Sequence, residues 1–414
     1  MNNKDQVPIT EPAPLEGVRV LDLCIVLAGP TCGRTLAQYG AEVIKIDPDH
    51  RLPQLTPWLD VGRGKRSISL NLNKPGGIEA FLKLADSADV IIEGFRKGVA
   101  DRLGIGYERL SKRNPSLIYG SINCFGHEGP WQLRPGFEQN AQAATGVQLR
   151  NSGIPGDLNN KNVKPRPATF TLNDYGTGIA AAYGVMMALL EREKTGKGQH
   201  VEAALSHTSA TISAPYHVNH KNYVRDDVGG PGARGLNALA GLYESADNWV
   251  FLSAFSEEQW QKLCLLDEFS HLQSMEVFSS KASRSENDLL LREILEEIFV
   301  TKPSDYWVET MKSAQIPLVK NTTAAEIHED DFNHARGLIR GKDYSNSQEI
   351  NSSWGKTTWS GNPVNMSKTP LQDVFPPVFG AETLNVLKEL GITTEKIDQL
   401  RKAGVIPKQL PINI

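Results

Sequence analysis

The 414-residue chain carries 44 Lys and Arg against 48 Asp and Glu, a net charge of −4, with 40% hydrophobic and 22% charged residues. That balance belongs to a soluble globular protein long enough for about two to three domains; it disfavours intrinsic disorder, a collagen-like repeat and a basic nucleic-acid platform. The four cysteines, at 24, 32, 124 and 264, form no C-x-x-C pair and are too sparse for a disulfide framework, which points to a reducing cytoplasm.

In chain order, Met1–Gly17 is polar, carries three prolines and lacks the apolar stretch of a secretory signal, so residues 1–16 read as an arm. Val18–Leu23 is rich in β-formers, Ala28-Gly29-Pro30 breaks it, Thr31–Tyr39 has helical periodicity and Glu42–Ile46 is a second strand, together a βαβ unit. The punctuation recurs: Phe81–Ser87 helical, Asp89–Ile92 extended, Tyr107–Arg113 helical, Leu117–Ile122 extended. An α/β architecture follows, with a largely parallel sheet covered by helices on both faces. Leu172–Lys194 is the strongest helical segment, stopped by Gly196 and Gly198 before a strand at His200–Leu205. Its uncharged stretch ends at Glu191 and Arg192, too soon to span a bilayer, so the expected environment is a core without a membrane. Gly176, Gly178, Ala180, Ala181, Ala182 and Gly184 would let another backbone come close to its early turns.

Beyond Ser213 the character changes. Residues 216–235 form a polar linker with a glycine-rich loop at 229–235; Leu239–Leu252 resembles a β-hairpin, and Ser285–Val300 an amphipathic helix. A smaller α+β domain at 236–325 follows, then a linker at 326–370 whose Asp343–Thr369 stretch is rich in Ser, Asn and Gly. Helices at Ala381–Leu390 and Thr394–Ala403 finish the chain.

A dinucleotide fingerprint is absent: the first strand-to-helix turn lacks G-x-G-x-x-G spacing and carries Pro30 where a flexible glycine should admit pyrophosphate. There is no Walker motif and no metal-spaced Cys/His cluster, so no metal is expected. Arg63, Lys65, Arg66, Arg96, Lys97 and Arg102 lie near turns bordering the expected strands; each alone is ordinary surface, but grouped at the ends of a parallel sheet they suit a polyanion such as a nucleotide diphosphate. Asp174 stands at the start of the small-residue helix. It suits either a helix cap or a nucleophilic carboxylate that substrate could reach past Gly176 and Gly178, and composition leaves both open.

Several blocks resemble the family III CoA-transferases, the group of formyl-CoA and carnitine CoA-transferases that also includes the α-methylacyl-CoA racemases. They are Pro14-Leu15-Glu16-Gly17-Val18-Arg19-Val20-Leu21-Asp22-Leu23, Ala28-Gly29-Pro30, Gly40-Ala41-Glu42-Val43-Ile44-Lys45-Ile46, Gly64-Lys65-Arg66-Ser67-Ile68, Gly94-Phe95-Arg96-Lys97-Gly98, Phe125-Gly126-His127-Glu128-Gly129-Pro130, and Glu191 through Gln199. The resemblance implies a Rossmann-like large CoA-binding domain made of residues 17–215 with 371–414, the small domain, and two chains interlocked as a homodimer. It implies that Asp174 attacks an acyl-CoA thioester, giving a mixed anhydride and then an aspartyl-CoA thioester, with acyl-CoA and a carboxylic acid as partners and no tightly bound cofactor. Lys65, Arg66, Phe95, Arg96 and Arg102 become the expected contacts to CoA. Leu27 stands where formyl-CoA transferase has a polarising glutamine, which argues against formate and oxalate. The racemases' acid/base histidine is matched by Phe137, leaving only Glu138 to move a proton there, so a racemase or isomerase is the second reading and a non-catalytic CoA-binding protein the third. His127, in a glycine-bounded turn, is read as surface.

Overall fold

The computed structural model describes residues 12–52, 54–153, 164–222, 230, 233–345, 354–371 and 374–410. Most of the expected N-terminal arm, much of the loop at 229–235, and residues 346–353 of the expected connector lie outside the described residues. Six strands form one wholly parallel sheet: β1 (Arg19–Asp22), β2 (Glu42–Asp47), β3 (Lys65–Ser69), β4 (Val90–Glu93), β5 (Ile118–Asn123) and β6 (His200–Ala204). Their spatial order is β3-β2-β1-β4-β5-β6, so the direction of winding reverses between β1 and β4. A crevice opens at such a reversal, beyond the carboxyl ends of the strands.

Strand side chains alternate between two cores, as the pleat requires. Leu21, Ile44 and Ile91 point to one face, packed with Phe81, Leu84, Leu387 and Leu400. Val20, Val43, Val90 and Ile92 point to the other, packed with Leu36, Ala181, Val185 and Leu189. Burial on both faces accounts for the nearly continuous apolar strands that the sequence displays.

The first helix is Ala28–Gln38. Ala28-Gly29-Pro30, expected to lie in a break, forms its opening turn, where a proline's missing N–H costs nothing. The long helix is Leu172–Thr195, closed by Gly196 in the left-handed conformation (φ 70°). It crosses the first helix so closely that a Cβ on Gly178 would lie 2.4 Å from the Ala28 carbonyl oxygen, and this is the physical use of the small residues there. Opposite the buried face runs an exposed apolar stripe of Leu172, Ile179, Tyr183, Met187 and Leu190, all within about a third of a turn on a 3.6-residue period.

Residue contacts divide the chain into two units, 1–148 with 167–218 and 337–414, and 149–166 with 219–336. In the first, the last stretch of chain lies along β3: the Glu382 amide donates to the Ser67 carbonyl (2.9 Å), the Ser69 amide to Thr383 Oγ1 (2.9 Å), and the Asn71 amide to the Val405 carbonyl (2.8 Å). Part of the segment expected to be a linker also has structure here. β11 (Ile339–Asp343) pairs antiparallel with β12 (Lys356–Ser360), and Tyr344, Trp354, Trp359 and Phe375 contact one another edge to face. The aromatics give this Ser- and Asn-rich stretch a core that its average composition conceals. The second unit holds the antiparallel sheet β10-β9-β8-β7, from β7 (Gly235–Asn237), β8 (Ala240–Glu244), β9 (Trp249–Ser253) and β10 (Leu318–Lys320), over a core with Trp260, Phe269, Phe299 and Trp307. Among the described residues no helix is long and apolar enough to cross a membrane.

Candidate active site

A cavity of about 570 Å³ occupies the crevice between the carboxyl ends of β1 and β4. Its walls are the β1 exit (Cys24, Ile25, Val26), the start of the first helix (Ala28, Gly29), the β4 exit (Gly94, Phe95, Arg96, Lys97), the β5 exit (Asn123–Gly126), and residues 134–137, with Asp174 and Leu205 alongside. Val26 holds a positive φ of 66°, a conformation that a β-branched side chain adopts only at a cost of order 1–3 kcal/mol. That strain sits on the cavity wall. The β4 exit is fixed from below: the Phe95 amide donates to Glu93 Oε2 (2.5 Å) and the Ser121 hydroxyl to Glu93 Oε1 (2.6 Å). Burial pushes the Glu93 carboxyl up to about 7.

Asp174 is the third residue of the long helix and 7% exposed. Capping of that helix falls to Glu138, which reaches in from a separate short helix, Glu138–Ala144. Glu138 Oε2 accepts from the Asp174 amide (2.8 Å), and Oε1 accepts from the Asn173 amide (3.4 Å), Asn173 Nδ2 (3.0 Å) and Gln142 Nε2 (2.8 Å). The free N–H groups of the helix are thus met by a neighbour, and among the described residues no hydrogen bond engages the Asp174 carboxyl oxygens. Burial, and secondly the Glu138 charge, push the Asp174 carboxyl up to about 7. The next residue anchors the turn: the Tyr175 hydroxyl donates to Asp60 Oδ2 (2.7 Å), while Arg34 (2.7 Å) and Arg63 (2.8 Å) donate to Asp60 Oδ1.

The cavity brings Asp174, Phe95 and Arg96 together. Arg102 is exposed on the short helix Val99–Leu103, outside the cavity wall and close to Gly98. Lys65 and Arg66 open β3 just after the turn at 62–64, near a turn as the sequence suggested, but their charges are already paired, which weighs against both as CoA contacts. Lys65 Nζ is fully buried, donating to Asp22 Oδ2 (2.7 Å) and to the Pro30 carbonyl (2.8 Å). Arg66 is held by Glu42 (2.5 Å), Glu389 (2.5 Å) and Glu382 (3.2 Å). Leu27 stands just before the first helix and off the cavity wall. His127 is likewise off the wall, its Nδ1 3.4 Å from Glu202, while its carbonyl accepts from Lys97 Nζ (2.6 Å). Two arginines that sequence reasoning passed over, Arg51 and Arg134, also line the cavity. Their one advance signal was position, just past the end of β2 and just before Pro135-Gly136-Phe137-Glu138.

A parallel α/β sheet whose crevice sets one buried, unengaged carboxylate among exposed cations is the layout of an enzyme that handles an anionic substrate by nucleophilic or acid/base chemistry. The chain belongs to CoA-transferase family III, whose family model matches residues 15–383, and it is an enzyme of that type, acting on CoA thioesters. It is similar to the succinyl-CoA–L-malate CoA-transferase beta subunit of Chloroflexus aurantiacus, 31% identical over 422 residues that cover 96% of this chain and 99% of that protein. It is similar also to the succinyl-CoA:mesaconate CoA-transferase of Haloarcula hispanica, 30% identical, covering 92% of this chain and 97% of that one. The crystal structure of a CAIB/BAIF family protein from Brucella suis superposes with a TM-score of 0.77 at 26% identity, covering 92% of this chain and 100% of that chain.

Proposed function

We propose that the protein moves CoA between organic acids with Asp174 as the nucleophile. The observation that carries the reading is the division of labour at the long helix: Glu138 does the capping, so the Asp174 carboxylate faces the cavity unengaged. Its oxygen attacks the thioester carbonyl of the acyl-CoA donor, the C–S bond breaks, and a mixed anhydride and CoA thiolate result. The thiolate attacks the aspartyl carbonyl of the anhydride, releasing the donor acid and leaving an aspartyl-CoA thioester. The acceptor carboxylate then attacks that thioester, forming a second anhydride and thiolate. Attack of the thiolate on the acceptor's acyl carbon delivers the new acyl-CoA and restores Asp174. One thioester is exchanged for another of similar energy, so the sequence is close to balanced and runs in both directions.

Phe95 and Arg96 at the β4 exit, with Arg102 beyond them, are the proposed contacts for CoA, because guanidinium groups match its phosphates. Hydroxylamine tests the covalent step. Added with the acyl-CoA donor, it should convert Asp174 to the hydroxamate, read as a mass change on the peptide carrying that residue; an unmodified peptide under turnover would refute the mechanism.

The proposal includes an interlocked homodimer, a large domain of residues 17–215 with 371–414, and a cytoplasmic setting. The apolar stripe of Ile179, Tyr183, Met187 and Leu190 supports the dimer, since an isolated chain would leave it in water. Light scattering should therefore return the mass of two chains, and a single-chain mass at micromolar concentration would exclude the dimer. The four cysteines are all free and buried, in keeping with a reducing compartment.

A further inference from the structure

Two side chains that do not line the cavity meet beside the turn that carries Asp174. The Tyr175 hydroxyl donates to Asp60 Oδ2 (2.7 Å), and neither residue belongs to the cavity wall. Asp60 sits near the end of the short helix Leu55–Val61 and is gripped by two cations. Arg34 of the first helix donates to its Oδ1 (2.7 Å); Arg63 donates to the same oxygen (2.8 Å) and, from Nε, to the Asp60 carbonyl (3.0 Å). The Arg63 guanidinium in turn lies 5.5 Å over the Trp359 ring of β12. Although burial works the other way, Arg34, the Tyr175 bond and Arg63 hold the Asp60 carboxyl below its ordinary value, so it is an ionised acceptor at neutral pH.

The turn held by this acceptor has few side chains of its own to steady it. Gly176 and Gly178 supply none, and glycine leaves a helix backbone freer to twist than any other residue. The Glu138 bonds grip N–H groups that point along the helix axis, which fixes the end of the helix more firmly than its rotation. Thr177, bonded to Thr208 (2.8 Å), holds the side of the helix opposite Tyr175. Successive side chains project about 100° apart round a helix, so a tether on residue 175 also fixes the direction of residue 174.

We infer that Tyr175 and Asp60 are positioning residues for the transfer: their hydrogen bond sets the rotation of the first turn of the long helix and so aims the Asp174 carboxylate at the incoming thioester. The inference rests on the nucleophile reading above and adds what holds the attacking oxygen in line. Neither residue touches substrate or takes part in making or breaking the acyl bond. The effect is on alignment, where a displacement of about 1 Å is worth up to about a hundredfold in rate.

Tyr175→Phe removes one hydroxyl and leaves Asp60 with both arginines, so the charges of the cluster stay paired. Full-length parent and variant are incubated with hydroxylamine and saturating succinyl-CoA, glutaryl-CoA or acetyl-CoA, and hydroxamate formation on the Asp174 peptide is followed by mass spectrometry. The variant should form the adduct at least about tenfold more slowly, with the KM for the donor within about twofold of the parent's and the melting temperature within about 2 °C. Asp60→Asn should slow the same step, and the two substitutions together should slow it no more than the slower one alone, because both act on one bond. Labelling of Tyr175→Phe at the parent's saturated rate overturns the inference, as does a loss seen only in KM or in the melting temperature. A parent that never carries the adduct sinks the nucleophile reading and this inference with it, whereas a labelled parent with an equally fast variant sinks this inference alone.

Discussion

Asp174→Asn should remove CoA transfer, by about 10³-fold or more, and at the same time make the folded protein more stable than its parent above pH 7. The first half follows from the loss of the proposed nucleophile. The second follows from the sign of the pKa shift. Burial, then Glu138, raise the Asp174 carboxyl from 3.8 to about 7 in the folded state. A group raised in this way stabilises the fold while protonated, and the contribution is lost as pH climbs from the unfolded value through the folded one. Ionised Asp174 therefore costs the fold up to about 4 kcal/mol at pH 8, an upper bound that any remaining solvent contact reduces. Asparagine cannot ionise. The melting-temperature advantage of Asp174→Asn should be small near pH 4, grow towards pH 7 and level off above it. The same carboxylate sets the rate: kcat/KM of the parent should rise with pH through about 7. A stability difference that ignores pH would show that Asp174 is not held in the raised state.

Glu138→Gln should carry the second-largest effect, and its diagnostic is a displacement of the pH profile. With the neighbouring charge gone, Asp174 ionises more readily, so the rising limb of kcat/KM should move to lower pH. The amide also presents N–H groups where Glu138 now presents only acceptors to the helix N-terminus, leaving at least one buried donor unmet at a cost of about 1–3 kcal/mol. A merely structural role would lower stability and leave the limb where it was. The Glu138 arrangement also weighs against proton transfer at the substrate α-carbon: both its oxygens accept hydrogen bonds from the helix start and Gln142, and the adjacent Phe137 has no proton to give.

How much of this could be read in advance differed by element. β1, β2, β4 and the long helix announced themselves because their side chains are apolar on the faces they bury, and periodicity reports that directly. β3 did not, since Lys65-Arg66-Ser67-Ile68-Ser69 looks polar. Its buried Lys65 is tolerable only because Asp22, 43 positions earlier, neutralises it, and pairing at that separation leaves no local trace. Asp174 was legible as a carboxylate at a helix start, with a cap or a nucleophile as its two uses. What weighs against the cap is Glu138, 36 positions away, which already accepts from the Asp174 amide. Arg51 and Arg134 passed unnoticed because nothing in their flanking residues marks a cavity wall.

The dependence of β3 on the far end of the chain reaches into biosynthesis. β3 is an outer strand of the parallel sheet, and the groups that cover it, around Thr383 and Val405, leave the ribosome more than 300 residues after it does. Throughout that interval the nascent sheet presents an uncovered border and an unfilled apolar surface, the conditions under which partly made chains associate with one another. Closing this sheet is therefore a race between elongation and clumping, decided by the codons for residues 382–405, and a ribosome stalled short of them would release a chain whose β3 is left uncovered.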